Sequence, residues 1–455
     1  MNQIQNFLKK NRSQNLKIHV LGDAMIDEYH KVEVNRISPE FPIPIMRSSN
    51  SNAIQKPGGA ANVVHQLRHF NVDPSLWCFY DQNLTDVLQK HYILWSCANF
   101  VSVKASLPIK RRFFDGDIQV ARHDIESKNC GLNQKELDFV TGGLRDVIAT
   151  SCKPDVAIFS DYNKGFFASE EFNVLDFYKD VTTIVDPKNG PLSKWKGCTI
   201  IKPNAKEAFD LTGRNTWREQ ARHIQDEIGC ESVVITFGGE KVAGIWHNDY
   251  FCYQPDKKVE VESVIGAGDC FCATFALAVG HGFSVPEAAE IGWNSGSIYV
   301  QNKMNRPIVP AELSLSGIVE SEDLSSRDFK LVFTNGCFDL LHEGHLETLR
   351  FAKSQGDKLV VALNSDASIK RLKGSERPLK PLDQRMKVIA ALNMVDFVVS
   401  FDEDTPLEVI KTIKPDVLVK GDGYCIDSIV GADIVPEVLV APSVPGLSST
   451  KFING

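Results

Sequence analysis

Residues 264–282 read VIGAGDCFCATFALAVGHG, a Gly-Ala-Gly-Asp turn that opens directly onto a long apolar helix. Glycine lets a backbone approach a ligand closely. The N–H groups of Gly266, Ala267 and Gly268 can therefore converge at the helix start, where the backbone favours negative charge such as a transferring phosphoryl group. Asp269 at the same turn can accept a proton from an attacking hydroxyl. Aspartate is also a common capping residue, so the turn by itself leaves both roles open.

Outward from that helix, β-branched runs such as KIHVLG (17–22), DVAIFS (155–160), TTIVD (182–186), TIIKP (199–203) and SVVITFG (232–238) alternate with helical patterns. Buried strands that alternate with helices predict an α/β fold with a mainly parallel sheet. Between 30 and 60, and again over 105–124, the pattern is strand-like and predicts a small β flap able to cover a substrate. PAELSLSGIVESEDLSSRD (310–328) is rich in Ser and acidic residues and suits a boundary. A second α/β pattern follows, with strands at KLVFTNG (330–336), DKLVVALNSD (357–366), DFVVSFDE (396–403) and DVLVKGDG (416–423). The expected organisation is thus a domain over 1–313, a linker over 314–328 and a second domain over 329–455.

A chain of 455 residues exceeds one comfortable core, in keeping with two domains. Its formal charge of −8 argues against general nucleic-acid binding and favours small-molecule substrates, with room for local basic pockets. The N-terminal stretch MNQIQNFLKKNRSQNLKIHVLGD has no unbroken apolar segment of the secretory kind, and no other stretch is long and apolar enough to span a bilayer. Eleven scattered cysteines without a C-x-x-C pair fit neither a disulfide framework nor a zinc ribbon, so a reduced, cytoplasmic protein is expected. Cys270 and Cys272, beside the Gly-Ala-Gly-Asp turn, read as small helix-packing residues.

In its first part the chain resembles the ribokinase/PfkB family of sugar kinases over nearly the full length of that family, which implies a ribokinase-like sheet with a β flap. LGDAMID (21–27) places Asp27 where the family has its sugar-hydroxyl carboxylate, and PGGAANV (57–63) matches its Gly-Gly substrate motif with Gly58, Gly59 and Asn62. KPNAKEA (202–208) matches its Asn-x-x-Glu, where Asn204 and Glu207 would organise Mg²⁺ and the phosphates of ATP through water. The resemblance also implies nucleotide contacts at Thr236 and Gly238, and Asn294 beside the adenine. Ile265 departs from the family, which generally carries Thr there.

Within that family RISPEFPIP (36–44), RRFFDGDIQVARHDIE (111–126), SDYNKG (160–165) and VDPK (185–188) resemble heptose 7-phosphate kinases. A phosphosugar needs cations at its far end, for which Lys110, Arg111, Arg112, Arg122 and Lys164 are available, and Asp186 and Lys188 can support the phosphate path. The family often dimerises through its flap.

The second part carries TNGCFDLLHEGHLETLRFAKSQGDKLVVALNSD (334–366), a strand, a glycine turn and a helix start with His342 and His345 three residues apart on one face. Two imidazoles at a positive helix end make a pocket for a triphosphate under attack at its α-phosphorus. The spacing is not that of a His-Glu-x-x-His zinc site. This segment resembles the Rossmann-like cytidylyltransferase family with its H-x-G-H signature. That likeness implies nucleotide and sugar-phosphate contacts at Thr334, Gly336, Phe338, Asp339, Asn364, Asp366, Lys373, Arg377, Ser449 and Thr450.

LKGSERP, PLDQRM and EDTP resemble the adenylyltransferase half of bifunctional heptose 7-phosphate kinase/heptose 1-phosphate adenylyltransferases. The implied pathway runs from heptose 7-phosphate to the 1,7-bisphosphate, through a separate phosphatase, to ADP-heptose. After Val419-Lys420 the chain reads Gly421-Asp422-Gly423-Tyr424, whereas that family usually reads Gly-Gly-Asp-Tyr, so both ATP and CTP stay open for the second step.

Overall fold

The computed structural model describes residues 3–48, 53–91, 93, 98–102, 107–126, 128–169, 173–188, 190–255, 259–302, 306–314 and 317–442. The chain divides into two compact units, Met1–Ile308 and Val309–Gly455.

The first unit is built on a nine-stranded sheet. In space its strands run Asp249–Tyr253, Val242–Trp246, Ser232–Thr236, Ile200–Ile201, Thr182–Asp186, Val156–Ser160, Ile18–Gly22, Ser75–Tyr80 and Ala98–Ser102. From Ser232–Thr236 to Ala98–Ser102 every pairing is parallel, and the remaining two strands add as an antiparallel hairpin. The central strands are wholly buried runs of Val, Ile and Phe, the composition expected of a parallel sheet covered on both faces. Strand order reverses at Ile18–Gly22, which pairs with Val156–Ser160 on one side and Ser75–Tyr80 on the other, and open α/β sheets bind ligands at such a point. Gly22 belongs there because a Cβ would lie 2.0 Å from the Ser160 carbonyl oxygen.

After that point the chain rises into the flap. Ala24–Ile37 starts buried and ends exposed, and it carries Ile54–Gly59, Pro44–Ser48 and the hairpin Ile109–Asp115/Ile118–Ile125. The strand-like segments of the sequence therefore form one flap rooted beside the switch point. The apolar helix is Ala267–Gly280, buried from Asp269 to Ala278. It starts at Gly266, whose φ of 79° is left-handed.

The second unit is a five-stranded parallel sheet ordered Phe397–Phe401, Lys358–Asn364, Leu331–Gly336, Val417–Lys420, Glu437–Val440. Its order also reverses at the first strand, Leu331–Gly336, and the helix Glu343–Lys353 follows directly. Residues on either side of the expected boundary belong to its core: Val309, Ala311, Val319 and Leu324 are buried with Leu331, Phe333 and Phe397. Val319 donates its N–H to the Val398 carbonyl at 3.0 Å, so the stretch read as a linker is tied to this sheet. Among the described residues no helix is long and apolar enough to cross a membrane.

Candidate active sites

In the first unit, chain elements far apart in sequence meet around Asp269, which is only 4% exposed. Tyr162 donates its hydroxyl to Asp269 Oδ1 at 2.6 Å, and Asn62 donates Nδ2 to Oδ2 at 2.7 Å. Burial pushes the Asp269 carboxyl up to about 6; the two hydrogen bonds oppose this, and the charges of Asp186 and Asp27 add to it. A Cβ on Gly58 would come within 2.9 Å of Asp27 Oδ2, so the Gly-Gly motif gives the Asp27 carboxylate its space. Gly59, at φ 59°, turns the chain into the helix Ala60–His69, which carries Asn62.

The five cations expected to hold a sugar phosphate separate into two groups. Arg112 pairs with Asp27 at 2.6 Å, both buried, and the Lys110 charge acts on Asp27 and Asp269 while its Nζ lies 5.2 Å from the Tyr162 ring centroid. Arg111 is held by Glu28 at 2.6 Å, Arg122 by Asp124 and Lys164 by Glu126 at 2.6 Å, so these three are engaged with carboxylates along the flap and its root.

The head of the Ala267–Gly280 helix borders a cavity of about 790 Å³. Asn204, Thr236, Gly238, Gly268, Phe271 and Trp293 line it. The Ala267 amide closes a turn onto the Val264 carbonyl at 3.3 Å, so the three amides of the turn are not equivalent donors. Asn294 turns its amide back to the Glu290 carbonyl at 2.8 Å, and its helix faces the cavity with Trp293, Gly296 and Ser297 instead.

Asn204 and Glu207 cap the helix Ala205–Thr212 reciprocally, with bonds of 2.9 Å in both directions. Glu207 also takes Lys188 at 2.7 Å, and behind it Asp186 pairs with the buried Lys202 at 2.9 Å. These oxygens suit a hard cation that keeps its waters and is held mainly by phosphates. Among the described residues no group of three or more His, Cys, Asp or Glu is placed to cage a metal.

In the second unit His342 precedes the helix Glu343–Lys353 and His345 lies in its first turn. The rings stack with centroids 3.8 Å apart and planes 28° from parallel, and Phe338 packs on His345 at 5.2 Å. The His342 amide donates to His345 Nδ1 at 3.4 Å, which puts the His345 ring proton on Nε2. Burial, then the His342 and Lys373 charges, lowers His345 to about 4, so that ring is neutral at pH 7 with an Nε2–H able to donate.

Thr334 is buried at the strand end, and Gly336 leaves room for Phe338, whose ring would lie 3.0 Å from an added Cβ. Asp339 accepts from Arg377 at 2.6 Å and from the amides of Leu379 and Lys380 at 2.8 and 3.0 Å. It thereby ties the basic loop down beside the histidines. Asn364 donates to Ser368 at 3.1 Å and Asp366 takes Arg385 at 2.7 Å, while Lys373 is exposed. Ser449 and Thr450 lie outside the described residues.

Sequence reading assigned no role to Asp23, Tyr162, Arg385 or Lys420. Asp23, 3% exposed, takes the backbone N–H groups of Tyr162, Lys164 and Phe166 at 2.9, 3.0 and 3.0 Å. Arg385, 2% exposed, donates to the carbonyls of Cys337, Asn364 and Lys380 as well as to Asp366. Lys420 donates to Asn335 Oδ1 at 2.6 Å, and burial lowers it to about 8. All four lie inside stretches already singled out in the sequence, LGDAMID, SDYNKG, PLDQRM and DVLVKGDG, but nothing in their spacing marks them individually.

Comparison with known proteins accounts for both sites together. Residues 157–311 match the pfkB family of carbohydrate kinases, and residues 333–454 match the cytidylyltransferase-like family. The bifunctional protein HldE of a Nitratiruptor species is 34% identical over 465 residues, spanning 96% of this chain and 98% of the relative. The chain belongs to the HldE family of bifunctional proteins. HldE of Paramagnetospirillum magneticum is 35% identical, over 95% of each chain. This HldE-family member is thus a bifunctional enzyme, a carbohydrate kinase followed by a nucleotidyltransferase. Phosphofructokinase-2 from Escherichia coli in complex with potassium shares the fold of the kinase unit, at 17% identity and a TM-score of 0.52, over 64% of this chain and 94% of that one.

Proposed function

We propose that the first unit moves the γ-phosphoryl group of ATP to the anomeric hydroxyl of a heptose 7-phosphate. The second unit then joins heptose 1-phosphate to AMP from ATP and releases pyrophosphate. The observation that carries the kinase reading is the placement of Asp269: a buried carboxylate beside Asn62, at the head of a glycine-started helix whose Ala267 and Gly268 line the cavity of about 790 Å³. Asp269 would take the proton of the sugar hydroxyl, the helix head would face the charge on the transferring group, and Asp27 would orient the sugar.

Mg²⁺ would neutralise phosphate charge from a position near Asn204 and Glu207, through water. In the second unit His342, His345, Lys373 and Lys420 would meet the triphosphate, and the loop held by Asp339 and Arg377 would receive the sugar phosphate. A phosphatase acting between the steps supplies heptose 1-phosphate. Cytoplasmic residence agrees with the free cysteines of the described residues, and a homodimer through the flap agrees with the exposure of Ile37, Phe41, Ile43 and Ile118.

Single-site variants assayed on each half-reaction test the assignment. Asp269→Asn is expected to lose the kinase and keep adenylyl transfer; His345→Ala is expected to do the reverse. Offering ATP and CTP side by side to the Asp269→Asn variant with heptose 1-phosphate decides the nucleotide. Product from CTP alone would contradict the adenylyl assignment and point to the turn at Gly421–Tyr424.

A further inference from the structure

We propose that Tyr162 is a positioning residue of the kinase centre, the donor that holds Asp269 ionised and aimed at the sugar hydroxyl. This rests on the reading of Asp269 as the base. Burial, together with Asp27 and Asp186 nearby, favours a protonated Asp269, and a protonated carboxyl cannot take the proton of the sugar. Two donors work against that tendency, one on each oxygen: Tyr162 at 2.6 Å and Asn62 at 2.7 Å.

Tyr162 is fixed at both ends. Its backbone N–H is held by Asp23 at 2.9 Å, and the ammonium groups of Lys110 and Lys188 lie 5.2 and 5.6 Å from its ring centroid. Burial and the Asp269 charge keep the phenol well above its ordinary value, so it stays protonated and can serve only as a donor to Asp269. Asn62 is oriented in turn by Gln66, which donates to Asn62 Oδ1 at 3.2 Å and leaves the NH₂ group for Asp269. Each carboxylate oxygen retains acceptor capacity for the incoming hydroxyl. In the step the sugar O–H proton passes to Asp269, the sugar oxygen bonds to the γ-phosphorus, and the bond to the ADP oxygen breaks. Tyr162 keeps its own proton throughout.

The ionisable groups that face Asp269 are Asp27, Asp186, Lys110, Tyr162, Tyr299 and Cys272. Of these, Tyr162 alone hydrogen-bonds the carboxylate among the described residues, and with the Asn62 amide it opposes the burial that favours protonated Asp269.

The test is Tyr162→Phe in the full-length enzyme, with kinase kcat and kcat/KM followed from pH 5 to 9 and adenylyl transfer measured on the same preparation as a folding control. The expected result is an acid limb of kcat/KM displaced upward by about one pH unit, so that kcat/KM falls roughly tenfold at pH 5 and about twofold at pH 7, with adenylyl transfer unchanged. Incorporation of 3-fluorotyrosine, a stronger donor of nearly the same shape, should move the limb downward and keeps the question answerable if the Phe variant folds poorly. A limb that stays put in both proteins would overturn the role. Failure of the underlying reading is separate and visible: it would appear as kinase activity surviving in Asp269→Asn.

Discussion

At Asp269 the electrostatic arrangement proposed to serve the phosphoryl transfer also costs stability. Its folded value near 6 exceeds the ordinary carboxylate value, so between about pH 4 and 6 the native state binds the extra proton and the protein loses stability as pH rises through that window. Asp269→Asn should therefore melt higher than the parent at pH 7–8, by about 2 kcal/mol, with the gain fading below about pH 4. Thermal melts across pH check this, and a variant less stable at pH 8 than at pH 4 relative to the parent would contradict it. In the second unit Arg385 is a buried cation that holds three carbonyls and Asp366. Arg385→Met should destabilise that unit by roughly 3 kcal/mol and lower adenylyl transfer, because it leaves the buried Asn364 carbonyl and the half-buried Cys337 carbonyl without this donor. Chemical denaturation of the variant alongside its activity would show whether both effects appear.

At the scale of elements, the sites divide by how local their chemistry is. The Gly266–Asp269 turn, the Asn204/Glu207 cap and the His342/His345 helix start are complete within a few residues, and their spacing was readable from the chain. Tyr162 and Asp269 are 107 residues apart in sequence, and Arg385 and Cys337 are 48 apart. Such pairs exist only once the strands are ordered, and a lone Tyr or Arg carries no periodic or spacing signal. The same reason separates the flap cations: Arg111, Arg112 and Arg122 look alike in sequence, and register decides which of them reaches Asp27. Composition misled at 314–328, where serines and acids suggest a linker but Val319 and Leu324 enter the second core. A fragment beginning at 309 should consequently be more stable than one beginning at 329 by about 5 kcal/mol or more, from four buried apolar side chains. Equal denaturation midpoints for the two fragments would sink that expectation.

For the whole molecule, two activities in one chain need not share a reaction chamber. On the proposed route a phosphatase acts between the steps, so the sugar would leave the first site before it entered the second. Asp269→Asn mixed with His345→Ala should then restore nucleotide-sugar formation to near half the parental rate when phosphatase is present. Recovery far below that would argue for transfer of the sugar within one molecule.

The central claim is tested most directly by incubating the purified enzyme with D-glycero-D-manno-heptose 7-phosphate, ATP and Mg²⁺, with and without a 7-phosphate phosphatase, and following products by mass spectrometry. The account predicts a heptose bisphosphate in both reactions and ADP-heptose only where the phosphatase is present. Absence of any bisphosphate would contradict the sugar assignment, and a bisphosphate that proceeds only when CTP replaces ATP in the second step would contradict the adenylyl assignment.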